Sequence, residues 1–221
     1  AYKIASFEIN DIPLIRKVAR TGKVVIMSTG IANLEDIELA IRVCKEENNE
    51  NVVLLKCLSA YPAPFEEMNL RVIRNMKETF ECQVGLSDHS LGSETAIAAV
   101  TLGAKIVEKH LTLSREDGGP DAMFSMEPHE FSNMVRQIHN VEKALGRVTY
   151  ELTKKQIEQR SGSRSLFVVE NIRKGEVFSN KNIRSIRPGI GLHTKYYENI
   201  LGKRASQDLK KGTPLMWKYI E

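Results

Sequence analysis

Nowhere in this sequence do about 18 hydrophobic residues run together, the length a membrane-spanning helix needs, and no signal-like segment opens it. Cysteine is scarce. Cys44, Cys57 and Cys82 are an odd number and form no CxxC pair, so no metal-type or disulfide framework is indicated. The expected setting is a reducing cytoplasm with free thiols. A Walker A sequence, a GxGxxG turn and a GxSxG elbow are also missing, and nucleotide binding and serine hydrolysis lose support with them. Neither sign of charge dominates: 32 Lys+Arg stand against 28 Asp+Glu, a net of +4. That excess is too small and dispersed for a nucleic-acid partner, yet it would not repel a small anion.

What is present is ordinary for a globular chain. Hydrophobic residues make up 42% and charged residues 27% of 221, enough for one large domain or two modest ones. Apolar or β-branched runs at 2–6, 23–28, 51–58, 83–87 and 105–109 predict strands. Val24-Val25-Ile26-Met27 and Val52-Val53-Leu54-Leu55 are apolar throughout, as parallel strands buried on both faces require. Between them the spacing predicts helices over 12–21, 33–48, 69–80, 93–102 and about 127–145, with Asn33 as an N-cap. Strands alternating with helices imply a parallel sheet. Periodicity alone leaves open whether the units belong to an open doubly wound sheet or to an eight-stranded barrel. After Tyr150 the pattern changes. Residues 151–164 read as a polar linker or surface helix, and short strand-like pieces at 165–169 and 176–178 suggest a small β-rich module.

Polar residues gather at the strand ends: Ser6 with Glu8, Ser28-Thr29, Ser59 with Tyr61, Ser87-Asp88-His89, and Glu108-Lys109-His110. In a parallel βα array every strand's C-terminal end opens on one face, where active sites are built. Taken singly, each Ser or Asp is as readily a helix N-cap. His89 and His110 sit at equivalent places one βα unit apart, and neighbouring parallel strands lie about 4.8 Å apart. Two imidazoles so placed can share a metal ion, with Asp88 and Glu108 as candidates to orient them; the alternative is two structural histidines. Lys3 is an ammonium near the inner part of a strand. With Ser6, Ser28 and Ser87 it would receive a phosphate or carboxylate, unless it is a lysine snorkelling at a chain end. Lys56 and Lys109 share that ambiguity. Gly118-Gly119-Pro120-Asp121 allows a close backbone approach to a ligand, with Asp121 an acceptor for sugar hydroxyls, or is an ordinary turn.

The segments Tyr2-Lys3-Ile4-Ala5-Ser6-Phe7-Glu8, Met27-Ser28-Thr29-Gly30, Lys56-Cys57-Leu58-Ser59-Ala60-Tyr61-Pro62, Gly85-Leu86-Ser87-Asp88-His89-Ser90 and Glu108-Lys109-His110 together resemble the sialic acid synthase family. The tail around Arg187-Pro188-Gly189-Ile190-Gly191 is similar to that family's antifreeze-like (SAF) domain. The wording at 5–8, 56–64 and 118–128 is most similar to the pseudaminic acid synthase branch, with neuraminate and legionaminate synthases as alternatives. The resemblance implies a TIM-type (β/α)8 barrel, with five C-terminal βα units present over 1–148. A linker over 149–164 and the SAF domain over 165–221 would follow. It implies condensation of phosphoenolpyruvate with an N-acetylated amino sugar.

By the same resemblance His89 and His110 would bind a divalent ion, manganese or magnesium. Lys3, Ser6, Ser28 and Ser87 would bind phosphoenolpyruvate. Glu8, Tyr61 and Asp121, with Ser59 less defined, would face the sugar. Arg187 would reach a partner subunit's site in a domain-swapped homodimer. The barrel's earlier strands are not among these residues and Ala1 is not Met, so the chain is expected to be the C-terminal part of a synthase, weak or inactive alone. Two other classes remain: a Schiff-base aldolase using Lys56 or Lys109, and a non-catalytic binding module at 151–221.

Overall fold

Five short strands form one parallel sheet in the computed structural model, which describes all 221 residues. They are β1 (Tyr2–Ile4), β2 (Val25–Ser28), β3 (Val52–Cys57), β4 (Gln83–Asp88) and β5 (Ile106–Lys109). Helices α1 (Ile12–Ala19), α2 (Leu34–Glu46), α3 (Val72–Phe80), α4 (Glu94–Thr101) and α5 (Pro128–Leu145) follow them in turn. The strand order is sequential, β1 to β5, with no reversal. A doubly wound sheet reverses its order at a switch point and carries helices on both faces. Here the outward residues Ile4, Val25, Met27, Val52, Leu54, Val84 and Leu86 all join one core with Ile15, Ile37, Ile41, Cys44, Ile73 and Met76 of the helices. This is a barrel sector, and order rather than periodicity decides it.

The sheet is strongly curled. Lys3 on the first strand and Glu108 on the last approach to 3.4 Å across the inner face. Gly85 permits part of this, since a Cβ there would meet the Ile106 carbonyl and Leu55. Local signals set the helix starts. Asn33 caps α2 by accepting from the Asp36 N–H at 2.9 Å while Asp36 accepts from the Asn33 N–H. The helix expected from residue 69 begins at Val72, because Asn69 takes a left-handed φ of 46° and turns the chain first. No helix is long and apolar enough to cross a membrane.

Residues Val148–Glu221 form a second compact unit, and Ala1–Arg147 the first. The second unit holds α6 (Lys154–Gln159), capped by Thr153, the antiparallel pair β6 (Ser165–Val168) and β7 (Ile183–Ile186), and one turn of helix, α7 (Tyr197–Ile200). Its own core contains Leu166, Val168, Ile172, Phe178, Ile183, Ile200 and Leu215. The strand expected at 176–178 is absent; Val177 makes only a single bridge to Arg204. Burial of Phe178 produces the apolar signal there without a ladder. The partner of β6 is β7, whose Ile-Arg-Ser-Ile sequence is too short and mixed to carry a strand periodicity.

Candidate active site

Strands β3, β4 and β5 bring Cys57, Ser87 and Glu108 into register in one row on the inner face. Ser87 Oγ donates to Glu108 Oε1 at 2.7 Å, and Lys3 Nζ lies 3.4 Å from the same oxygen. The Lys3 and Glu108 side chains are 32% and 43% exposed, so this ion pair is weak and open to exchange. Lys3 is thus a cation held on the concave face by a carboxylate that an incoming anion can replace.

Beside it the turn after β2 comes very close to other backbone. Gly30 N–H donates to Ser6 Oγ at 3.0 Å. A Cβ on Gly30 would overlap Ser59 Oγ and stand 2.7 Å from Ser6 Oγ and 2.9 Å from Cys57 Sγ. Ser28 Oγ and Ser59 Oγ are buried without any partner. A buried hydroxyl left unpaired costs about 1–3 kcal/mol, so two of them on one inner face mark a place that receives polar atoms. Cys57 joins these groups to the histidines. Burial opposes its ionisation, but interactions with His89, Ser6 and Ser87 outweigh this and hold the thiol below its ordinary value.

The two imidazoles are neighbours on the inner face. Their ring centroids are 5.2 Å apart in an edge-to-face arrangement. His89 Nδ1 lies 2.9 Å from the Leu58 carbonyl, which can only accept, so Nδ1 carries a proton and, in the neutral ring, Nε2 keeps the lone pair. Burial works against a charge on His89, but Cys57 and the Leu58 carbonyl outweigh it and raise its pKa. His110 is shifted the other way, by burial first and by the neighbouring His89 second. Asp121 Oδ2 stands 3.5 Å from His110 Nδ1. Tyr61 packs 4.2 Å from His89 and 6.1 Å from His110, while Phe124 lies 5.0 Å from His110 and 5.5 Å from Tyr61, centroid to centroid.

Lys3, Ser6, Ser28, Ser59, Tyr61, Ser87, His89, His110 and Asp121 therefore gather on one concave face or at its rim. Glu8 is exposed and accepts from the Ala5 N–H at 2.9 Å, closing a short 3-10 turn. Arg187 belongs to the second unit. It is exposed on the loop after β7, which Ser165 braces by donating to the Pro188 carbonyl at 2.7 Å and accepting from the Gly191 N–H at 2.9 Å.

The groups expected to orient the imidazoles make no hydrogen bond to either ring. Asp88 points to the helix side, against Lys109, because successive strand residues alternate faces. Glu108 serves Ser87 and Lys3, and it is the Leu58 carbonyl and Asp121 that face the histidines. Lys56 also points outward, into a cavity of about 700 Å³ between α2 and α3. Burial lowers its pKa, and its ammonium donates to the Cys57 carbonyl at 2.8 Å. Neither Lys56 nor Lys109 is offered to the concave face as a Schiff-base nucleophile. Sequence reasoning missed Cys57, Gly30 and Phe124 as members of the site. Parity along β3 could have found Cys57, two residues before Ser59 on the same face.

The NeuB family model matches residues 1–150, and the SAF domain model matches 163–221. The chain is 46% identical over 221 residues to the pseudaminic acid synthase of Helicobacter pylori, covering all of this chain and 65% of that protein. It is 45% identical over 215 residues to that of Campylobacter jejuni, covering 97% of this chain and 63% of the relative. The crystal structure of the Bacillus subtilis spore coat polysaccharide biosynthesis protein SpsE superposes with a TM-score of 0.63 at 37% identity, over 99% of this chain and 67% of that one. The chain thus spans just under two thirds of the length of these two synthases.

Proposed function

Because the chain belongs to the NeuB family, we propose that it carries the machinery for joining phosphoenolpyruvate to an N-acetylated amino sugar. The product is a nonulosonic acid and inorganic phosphate is released. The sugar is 2,4-diacetamido-2,4,6-trideoxy-altrose and the acid is pseudaminic acid. The observation that carries this reading is an anion seat next to an imidazole pair. Lys3 and the unpartnered hydroxyls of Ser28 and Ser59 lie on the same inner face as His89 and His110.

No third His, Cys, Asp or Glu side chain completes a ligand set around the two imidazoles. The donor chemistry still fits a divalent ion that takes its remaining positions from oxygen ligands, since the neutral His89 ring keeps a lone pair at Nε2. Bound by His89 and His110, manganese or magnesium would supply Lewis acidity to the sugar's aldehyde oxygen.

The chain's own groups do the rest by position and charge. Lys3, Ser6, Ser28 and Ser87 hold the phosphate and carboxylate of phosphoenolpyruvate, and Lys3 leaves Glu108 to do so. C3 of phosphoenolpyruvate is thereby aimed at the aldehyde carbon; water then adds at C2, and the C–O bond to phosphate breaks. Tyr61, packed at a tilt against His89, walls the sugar side. Asp121 is the nearer proton carrier for the aldehyde or water, because it faces His110 whereas Glu8 closes its own turn. Arg187 is assigned to the sugar end of a partner subunit's site in a domain-swapped homodimer, and the compartment to the cytoplasm.

Calorimetric titration with phosphoenolpyruvate, with manganese present, tests the seat: binding in the parent and at least about tenfold weaker binding in Lys3→Met are expected, a charged hydrogen bond being worth about 1.5–3 kcal/mol. Equal affinities would overturn it. Mass-spectrometric detection of product from altro- and manno-configured sugars separates the pseudaminate from the neuraminate reading. Borohydride trapping of pyruvate on a lysine would replace both with an aldolase.

A further inference from the structure

Each histidine of the pair is preceded by a residue whose side chain points to the opposite face of its strand. Those two residues, Asp88 and Lys109, are register partners across β4 and β5. Their side chains are 0% and 1% exposed and meet at 2.7 Å on the helix side of the sheet. We propose that this buried pair is a positioning device that sets the separation of His89 and His110, and through it the site's affinity for a divalent cation. The cation clause rests on the function proposed above.

The hydrogen bonds have the pattern such a device needs. Lys109 Nζ donates to Asp88 Oδ2 and to the Ser90 carbonyl, each at 2.7 Å. The residue before His110 therefore grips both residues that flank His89. Asp88 is itself locked: Oδ1 accepts from the Ser90 N–H at 2.9 Å and from Ser90 Oγ at 2.7 Å, and Oδ2 accepts from Thr95 Oγ1 at 2.6 Å. Thr95 stands in the first turn of α4, so the carboxylate is fixed to a helix as well as to a strand.

The backbone alone does not supply this restraint. β5 is four residues long and pairs within the sheet with β4 only. Beyond its end, the His110 carbonyl accepts from the Met126 N–H, a bond to its own following loop and not to β4. The pair is also poorly suited to a role in stability. Replacing a buried ion pair with apolar residues of similar volume is often neutral or stabilising, because desolvating two charges offsets their attraction. What a directional, fully hydrogen-bonded pair gives is register. Because side chains alternate across the pleat, a clasp on the outer face fixes the inner imidazoles without occupying the site.

The test is the double variant Asp88→Leu/Lys109→Met, which removes both charges at similar volume. Three measurements are made on parent and variant: thermal midpoint, manganese affinity by electron paramagnetic resonance of the free ion, and a crystal structure. The expected result is a folded protein whose ring separation departs from 5.2 Å. The departure should exceed about 0.5 Å, the tolerance of a working site. Manganese affinity should fall about 10- to 100-fold. A folded double variant with the ring separation and manganese affinity of the parent overturns the proposal. If the double variant fails to fold, Asp88→Asn keeps the volume but breaks the ionic clasp on Lys109, and unchanged ring separation and affinity in that variant overturn it equally. A parent that binds no manganese, with His89→Ala no different, removes the cation reading; the ring separation in the variants still decides the positioning claim.

Discussion

A Cβ built on Gly30 would fall 2.7 Å from Ser6 Oγ and 2.9 Å from Cys57 Sγ, and nearer still to Ser59 Oγ. Gly30→Ala therefore overpacks the anion seat, at a cost of about 1–3 kcal/mol. A lower thermal midpoint and weakened phosphoenolpyruvate binding are expected by scanning fluorimetry and calorimetry; parent-like binding would mean that this cradle is not the seat. Ser28→Ala should separate stability from binding. Its hydroxyl is buried with no partner, so its loss relieves a penalty of about 1–3 kcal/mol in the free protein. The midpoint should hold or rise while the dissociation constant for phosphoenolpyruvate increases. Residue types at this scale were largely legible. The polar residues at strand ends stood out in the sequence, but Cys57 did not, because a thiol within an apolar run reads as core until neighbouring strands place Ser87 and His89 beside it.

Besides the apolar core they share, α1 and the C-terminal end of α2 are tied by charge. Arg16 donates to Glu47 at 2.6 Å and Arg20 donates to it at 2.9 Å, which lowers the Glu47 pKa from its ordinary 4.5, with Arg20 the larger cause. A carboxylate that ionises more readily folded than unfolded stabilises the fold above the unfolded-state value of 4.5. That contribution drains away as pH falls through the lower folded-state value. Glu47→Gln should therefore melt below the parent at neutral pH, and the gap should close in melts run progressively below pH 4.5. A gap that stays constant with pH would assign the effect to packing. Elements were legible where periodicity was long, as in α2 and β3. They were not where pairing is made by single bridges, as at Val177 and Ile172 in the second unit.

At the scale of the whole molecule, the chain divides into two units with separate cores, and His89 lies in one and Arg187 in the other. If Arg187 serves a partner's mouth, His89→Ala and Arg187→Ala chains mixed and allowed to exchange should regain about a quarter of parent activity by random pairing into dimers. The mixture, assayed by phosphate release, should exceed either variant alone. No gain on mixing would place Arg187 in its own chain's site or outside any site.

By itself the sequence determined the alternation of strand and helix, the change of character after Tyr150, and the residues that reach the strand ends. Those follow from side-chain periodicity and turn chemistry, which are local. Tertiary structure alone decided that the strands run in sequential order and curl until Lys3 meets Glu108. It also decided that the Leu58 carbonyl and Asp121 face the imidazoles while Asp88 turns away to Lys109. Register and curvature bring together residues more than 100 positions apart, and strand parity assigns each one a face. Neither is written in the spacing of any one segment.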